Sequence, residues 1–253
     1  MFALERREKM YDHILKNGNV TVLEFSKEFN VSEVTIRKDL SYLESQGLID
    51  RTFGGAIIKS ILIQEQSYLE KEKYMINEKR LIGKKAAEFV KTNSTIILDA
   101  GTTIMEMAKN ITDIKDLNVI TNDLKIALFL SNFSNIEVTL IGGKVSMKSK
   151  ECSGIDSCKI IEKYNVDNCF LGCDAFDINN DFMTTSIEKM YLKRTFMDIS
   201  KKSFLLATSD KYGKKGLVNV SKLSKLTGII IDKRSPKLIQ DFDELNIDNC
   251  AFV

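Results

Sequence analysis

The sequence predicts an α/β chain in two parts: a winged helix-turn-helix, then an α/β domain with a mostly parallel sheet. Three observations predict it. Residues 19–56 carry two short helical patterns, a tight turn between them and a glycine-bearing hairpin after them. From Asn77 onward, short apolar runs alternate with amphipathic segments, the pattern of repeated strand–loop–helix units. Those apolar runs end in polar or glycine-bearing loops, where open α/β sheets bind their ligands. The expected divisions are 1–57 for the winged helix-turn-helix, 58–76 for a connector and 77–253 for the α/β domain.

Each element of the first part follows from its residues. Val22, Phe25 and Phe29 recur at helical spacing, so residues 21–29 form a short amphipathic helix. Asn30 tolerates a left-handed turn, and Val31 fills the angle between the helices. Ser32 is an N-cap. Thr35, not Glu, stands three residues on, so the cap is plain and not a capping box. Ile36, Leu40 and Leu43 share one face; Val34, Lys38 and Ser41 point away from it, with Thr35, Arg37 and Tyr42 on the flanks. Gly47 ends this helix. Residues 48–52 and 56–58 flank a turn at Gly54-Gly55 and read as the wing, with Arg51 at its base. An outward face of Ser, Thr, Arg and Lys suits phosphate and base-edge contacts on double-stranded DNA. A helical hairpin used for protein contacts has the same outline. Charge does not separate the two, because residues 1–60 hold nine Lys/Arg and nine Asp/Glu. Any basic footprint is local, at Arg37, Lys38, Arg51, Lys27 and Lys59.

Composition sets limits. With 253 residues, 43% of them hydrophobic, the chain can bury full cores, and a net charge of +2 points to no class of partner. No stretch approaches about 18 apolar residues, so no membrane span is expected. The N-terminal MFALERREKM lacks the apolar core of a secretory signal, and a cytoplasmic location is expected. The five cysteines are irregularly spaced with no CxxC, so reduced thiols are expected and neither a metal nor a cofactor. His13 is the single histidine, which leaves no Ser-His-Asp or Cys-His pair. It reads as a partly exposed packing residue.

Residues 58–76 are polar, with charges of both signs, and read as a partly helical connector. Helices are expected at 78–91, 104–110, 124–132 and 156–163, and strands at 95–98, 118–120, 137–141, 168–171, 203–207 and 228–231. Polar residues gather at the strand ends. Gly101-Thr102-Thr103 offers close backbone approach and two hydroxyls, which suits a phosphate and is also a common plain turn. Thr121, Asn122, Gly142 and Gly143 stand at two further ends. Asp99 and Asp174 are placed to accept from sugar hydroxyls, and Lys211 to pair with a phosphate. Neither GxGxxG nor GxxxxGK[ST] occurs, which disfavours dinucleotides and nucleoside triphosphates. Glu188 and Lys193 either line the site or form a solvated helix face, and the solvated face is the favoured reading.

Two groups of motifs carry a family resemblance. Val31-Ser32, Thr35 to Leu40, Leu43-Glu44, Gly47, Arg51 and Gly54-Gly55-Ala56 follow the N-terminal motif of the DeoR family of bacterial transcription regulators. Asp99–Thr103, Thr121-Asn122, Gly142-Gly143, Gly172–Ala175 and Lys211 are similar to the motifs of its sensor domain, whose fold resembles ribose-5-phosphate isomerase. The match departs from the pattern at Ala175, usually glycine, at Thr208, commonly Asp, and at Lys71, often Arg. The resemblance implies a recognition helix from Ser32 to about Gln46, with Ser32, Thr35, Arg37 and Lys38 facing DNA. Ser41 and Arg51 are added from the helix and wing geometry, and Asp39 is expected to brace a basic side chain. It further implies a phosphorylated sugar or related metabolite at the strand ends. The expectation is a homodimeric or homotetrameric regulator, more a repressor than an activator, of carbohydrate metabolism genes. The rival is a sugar-phosphate isomerase with an added DNA-binding module, using Asp99, Asp174, Glu188 and Lys211 as acid/base groups.

Overall fold

The computed structural model describes residues 3–45, 49–58, 67–177, 181–232 and 249–253. It divides into two compact units, Met1–Ile61 and Leu62–Val253. Gly47, Lys59 and the greater part of the expected connector, 59–66, lie outside the described residues.

The first unit runs α1 (Ala3–Asn17), β1 (Asn19–Thr21), α2 (Val22–Phe29), α3 (Glu33–Ser45), β2 (Ile49–Thr52) and β3 (Gly55–Ile58). Thr21 caps α2 through a reciprocal capping box with Glu24. Asn30 ends α2 in left-handed backbone at φ 51°. Ser32 caps α3, accepting the Thr35 N–H at 3.3 Å. Met10, Ile14, Phe25, Ile36, Leu40, Leu43 and Ile49 close the core. The wing is three-stranded, ordered β1-β3-β2, because β1 pairs with β3. Its turn is Phe53-Gly54, one residue earlier than expected. Gly55 belongs to β3, where a Cβ would stand 2.0 Å from the Val20 carbonyl oxygen; glycine here lets β1 approach.

The second unit begins with α4 (Tyr68–Lys73) and α5 (Ile76–Ala87), then β4 (Thr95–Leu98), α6 (Thr102–Ala108), β5 (Leu117–Thr121), α7 (Leu124–Leu130) and β6 (Ile136–Leu140). A small hairpin, β7 (Lys144–Val145) and β8 (Cys152–Ser153), leads into α8 (Ile155–Ile161) and β9 (Val166–Leu171). Then come β10 (Ala175–Asp177), β11 (Asp181–Thr184), α9 (Ile187–Asp198), β12 (Ser200–Ala207), β13 (Val218–Lys222), β14 (Gly228–Ile231) and β15 (Asn249–Phe252). The main sheet has the order β15-β14-β12-β9-β4-β5-β6, and every pairing in it is parallel. Its strands are apolar on both faces: Ile97, Leu171 and Leu205 pack into one core, Ile96, Leu98 and Phe170 into another. An antiparallel sheet, β10-β11-β13, was not expected.

Strand order places the site. From β4 the chain moves outward to β5 and β6, then returns to β9 on the other side and moves on to β12 and β14. The direction of winding therefore reverses between β4 and β9, which opens a crevice at their carboxyl ends.

Candidate functional site

A pocket fills that crevice. It is lined from β4's end by Ala100, Gly101, Thr102, Thr103 and Ile104, and from β9's end by Gly172, Cys173 and Asp174. Further walls come from Tyr68 and Lys71 on α4, Ser149 and Glu151 in the β7–β8 hairpin, Thr184, Lys189 and Lys193, and Lys211. Gly101 sits at φ +144°, a conformation that glycine adopts without strain. Its N–H donates to the Asp123 carboxylate at 3.1 Å, which fixes the turn.

Charge dominates the lining. Four lysines (Lys71, Lys189, Lys193, Lys211) face two carboxylates (Glu151, Asp174), an excess of two positive charges. Asp99, behind the wall, pairs with Lys193 and reduces the excess by one. Lys71 contacts Asp174 at 3.2 Å, and Lys189 contacts Glu151 at 2.5 Å. The Lys211 ammonium donates to the Cys173 carbonyl at 2.6 Å. Burial alone would raise the Asp174 carboxyl, but Lys71, Lys189, Lys211 and Lys193 together hold it well below the usual carboxylate range. The Thr184 hydroxyl also donates to it, at 2.9 Å. Burial acts against the charge of Lys193 too, yet the Asp99 carboxylate overrides it and raises that ammonium. Burial pushes the Cys173 thiol up to about 11, which leaves it protonated and inert near neutral pH.

Of the expected ligand residues, Gly101, Thr102, Thr103, Asp174 and Lys211 line this pocket. The others are not on its lining. Asp99 is a clasp between the ends of β4 and β9, accepting the Gly172 N–H at 2.8 Å and the Lys193 ammonium. Thr121 is fully buried and its hydroxyl accepts the Asp123 N–H at 3.1 Å. The Asn122 amide donates to the Cys152 carbonyl at 3.0 Å. The Gly142 carbonyl accepts the Ser157 hydroxyl at 2.7 Å. Gly143 makes room for β8 and α8, since a Cβ there would lie 2.5 Å from Ser157 Oγ. The reason is strand order: Thr121-Asn122 and Gly142-Gly143 follow β5 and β6, which lie away from the switch point.

Glu188 is exposed, as the favoured reading had it, but Lys193 is buried at the pocket floor. Five residues turn a helix through about 500°, so the two cannot share a face. Lys189 and Lys193 do share one, at i and i+4. That spacing was the available signal for the pair. Tyr68, Ser149, Glu151 and Thr184 carried none, since each reaches the crevice from an element whose place depends on the tertiary fold.

The winged unit presents the expected face. Ser32, Arg37, Lys38, Ser41 and Arg51 are exposed and Thr35 is half-buried. Val34 and Tyr42 are exposed beside them. The Ser32 hydroxyl lies 3.0 Å from the Thr35 hydroxyl. Arg37 holds Glu33 at 2.9 Å, and Arg51 donates to the Ser41 hydroxyl at 2.9 Å, so the wing base leans on α3. Asp39 braces α1: it accepts Arg6 and Arg7, each at 2.7 Å, and is buried. His13 packs edge-on against Phe25 and lies 3.2 Å from Glu28. Among the described residues no group of three or more His, Cys, Asp or Glu is placed to hold a metal, and no helix is long and apolar enough to cross a membrane.

Comparison with known proteins supplies the lineage. Residues 6–61 match the family described as the DeoR-like helix-turn-helix domain, and residues 75–233 match the DeoR C terminal sensor domain. The chain belongs to the DeoR family. Among its DeoR relatives, the Bacillus subtilis HTH-type transcriptional regulator YulB is 34% identical over 95% of each chain. The lactose phosphotransferase system repressor of Streptococcus mutans is 33% identical over 95% of this chain and 94% of its own. This DeoR-family chain is accordingly a DNA-binding transcriptional regulator. Ribose 5-phosphate isomerase from Plasmodium falciparum is a distant structural neighbour, with a TM-score of 0.41 and 20% identity over 56% of this chain and 55% of its own.

Proposed function

We propose that the protein represses genes of carbohydrate metabolism, and that a phosphorylated sugar bound in the crevice changes its affinity for the operator. The observation that carries this reading is the lysine-rich pocket at the switch point, in a chain whose other unit presents a winged helix. Gly101, Thr102 and Thr103 offer backbone and hydroxyl groups to a phosphate, and Lys71, Lys189 and Lys211 offer charge. Asp174 and Glu151 stand among them as acceptors for sugar hydroxyls. Asp99 acts through the Gly172 turn, not by contact. Ser32, Thr35, Arg37, Lys38, Ser41 and Arg51 supply the DNA face. One recognition helix reads only a few base pairs, so a homodimer or homotetramer on repeated half-sites is part of the proposal.

Relatives named as repressors, including the aga operon repressor of Escherichia coli, support this reading over the isomerase alternative. Selection of duplex DNA by the purified protein, repeated with a panel of sugar phosphates, tests it. A preferred sequence whose capture changes with one of them is expected. Turnover of an aldose phosphate to its ketose above background would favour the enzyme instead.

A further inference from the structure

The first described helix after the winged unit, α4, is a wall of the pocket. Ser67 and Glu70 cap α4 reciprocally, and the helix places Tyr68 and Lys71 on the lining. Tyr68 is 3% exposed, yet among the described residues its hydroxyl has no hydrogen-bond partner. The Ser149 hydroxyl, on the same lining, also has none. The two segments are joined, because the Tyr68 N–H donates to the Lys148 carbonyl at 2.9 Å. A phenylalanine would fill the place of Tyr68 without a buried hydroxyl left unpaired, so packing does not account for the oxygen. Two orphan hydroxyls on residues that line one cationic pocket are suited to ligand oxygens, since each can donate and accept.

Lys71 lies one helical turn along α4 and pairs with Asp174. The same Asp174 carries the field of Lys189, Lys211 and Lys193. A phosphate entering here competes with that carboxylate for Lys71. The Lys71 carbonyl also accepts the Lys79 ammonium, which fastens α4 to α5. In the chain, only residues 59–66 separate Ser67, the cap of α4, from the last described residue of the wing.

We infer that the Tyr68 and Ser149 hydroxyls bind oxygens of a polyhydroxylated monophosphate, and that Lys71 exchanges Asp174 for its phosphate, making α4 the element through which occupancy is passed toward the winged unit. This rests on the proposed function and names the regulation of the same site.

The test uses full-length Tyr68→Phe, Ser149→Ala, Lys71→Gln and Lys71→Arg with a selected operator duplex. Glucose 6-phosphate, fructose 1-phosphate, ribose 5-phosphate and inorganic phosphate are titrated as probes, and circular dichroism checks the fold. Two quantities are read for the best probe: the concentration giving half the response, and the ratio of operator Kd with and without saturating probe, each variant against its own probe-free value. Tyr68→Phe and Ser149→Ala are expected to raise the first at least tenfold. Lys71→Gln is expected to shrink the second at least fivefold even at saturation, and Lys71→Arg to restore it. Folded Tyr68→Phe and Ser149→Ala with wild-type half-response would overturn the hydroxyl assignment, and a wild-type ratio in Lys71→Gln the coupling role. A wild-type protein indifferent to every probe would overturn the proposed function itself and this inference with it.

Discussion

Asp123 is fully buried beside the crevice and Asp174 is partly buried on its lining, and their surroundings drive the two carboxyls in opposite directions. Four lysines hold Asp174 down, whereas burial raises Asp123 to about 6 despite N–H donors from Ile126, Lys125 and Gly101. A carboxyl raised on folding binds more protons in the folded chain between its unfolded value, 3.8, and about 6. The stability it contributes is therefore fully present below pH 4 and is lost as pH rises through 6, by at most about 3 kcal/mol. Asp123→Asn should remove that component: in urea melts at pH 4 and pH 7, wild type loses more stability than the variant, and equal losses would contradict the assignment. On the DNA face, Arg37→Ala is expected to weaken operator binding by about 10- to 100-fold if the guanidinium reaches a base, as fluorescence anisotropy would read. Wild-type affinity would remove Arg37 from the interface. Lys211→Ala should reduce the response to sugar phosphates relative to the variant's own probe-free operator affinity; an undiminished response would place the phosphate elsewhere.

Elements differ in how far local pattern determines them. Residues 228–231 form the expected strand end to end, because four apolar residues with three isoleucines in succession suit a strand buried on both faces. Residues 95–98 behave likewise. The hairpin β7–β8 has two residues in each strand, too few for alternation to register. β10 and β11 carry Asp177 and Asp181 at paired positions, which masks their apolar neighbours. Which strand ends meet depends on strand order, a long-range property; hence Gly101 and Asp174 line one crevice while Asn122 and Gly143, at the ends of β5 and β6, do not. The closeness of α5 to α6 was equally hidden. A Cβ on Gly83 would stand 2.6 Å from the backbone of Glu106 and Met107, so the two helices meet main chain to main chain. Gly83→Ala is expected to lower stability by about 1–3 kcal/mol in chemical denaturation. An unchanged midpoint would mean the helices separate at no cost.

At the scale of the whole molecule, the chain joins a DNA-binding unit to a unit with a lysine-rich pocket that is lined in part by α4, and the proposed occupant of that pocket is an anionic metabolite. Coupling between two such sites is a difference in free energy that runs both ways: operator DNA must alter the affinity for the metabolite by the same factor as the metabolite alters affinity for DNA. The size expected is about 5- to 150-fold. The direct measurement is a titration of the selected operator by anisotropy with and without the sugar phosphate that stabilises the protein most in thermal melts. The account predicts a shift in operator Kd within that range, together with an equal shift in the metabolite's Kd when operator is present. A metabolite that binds the crevice and leaves operator Kd unchanged would contradict it.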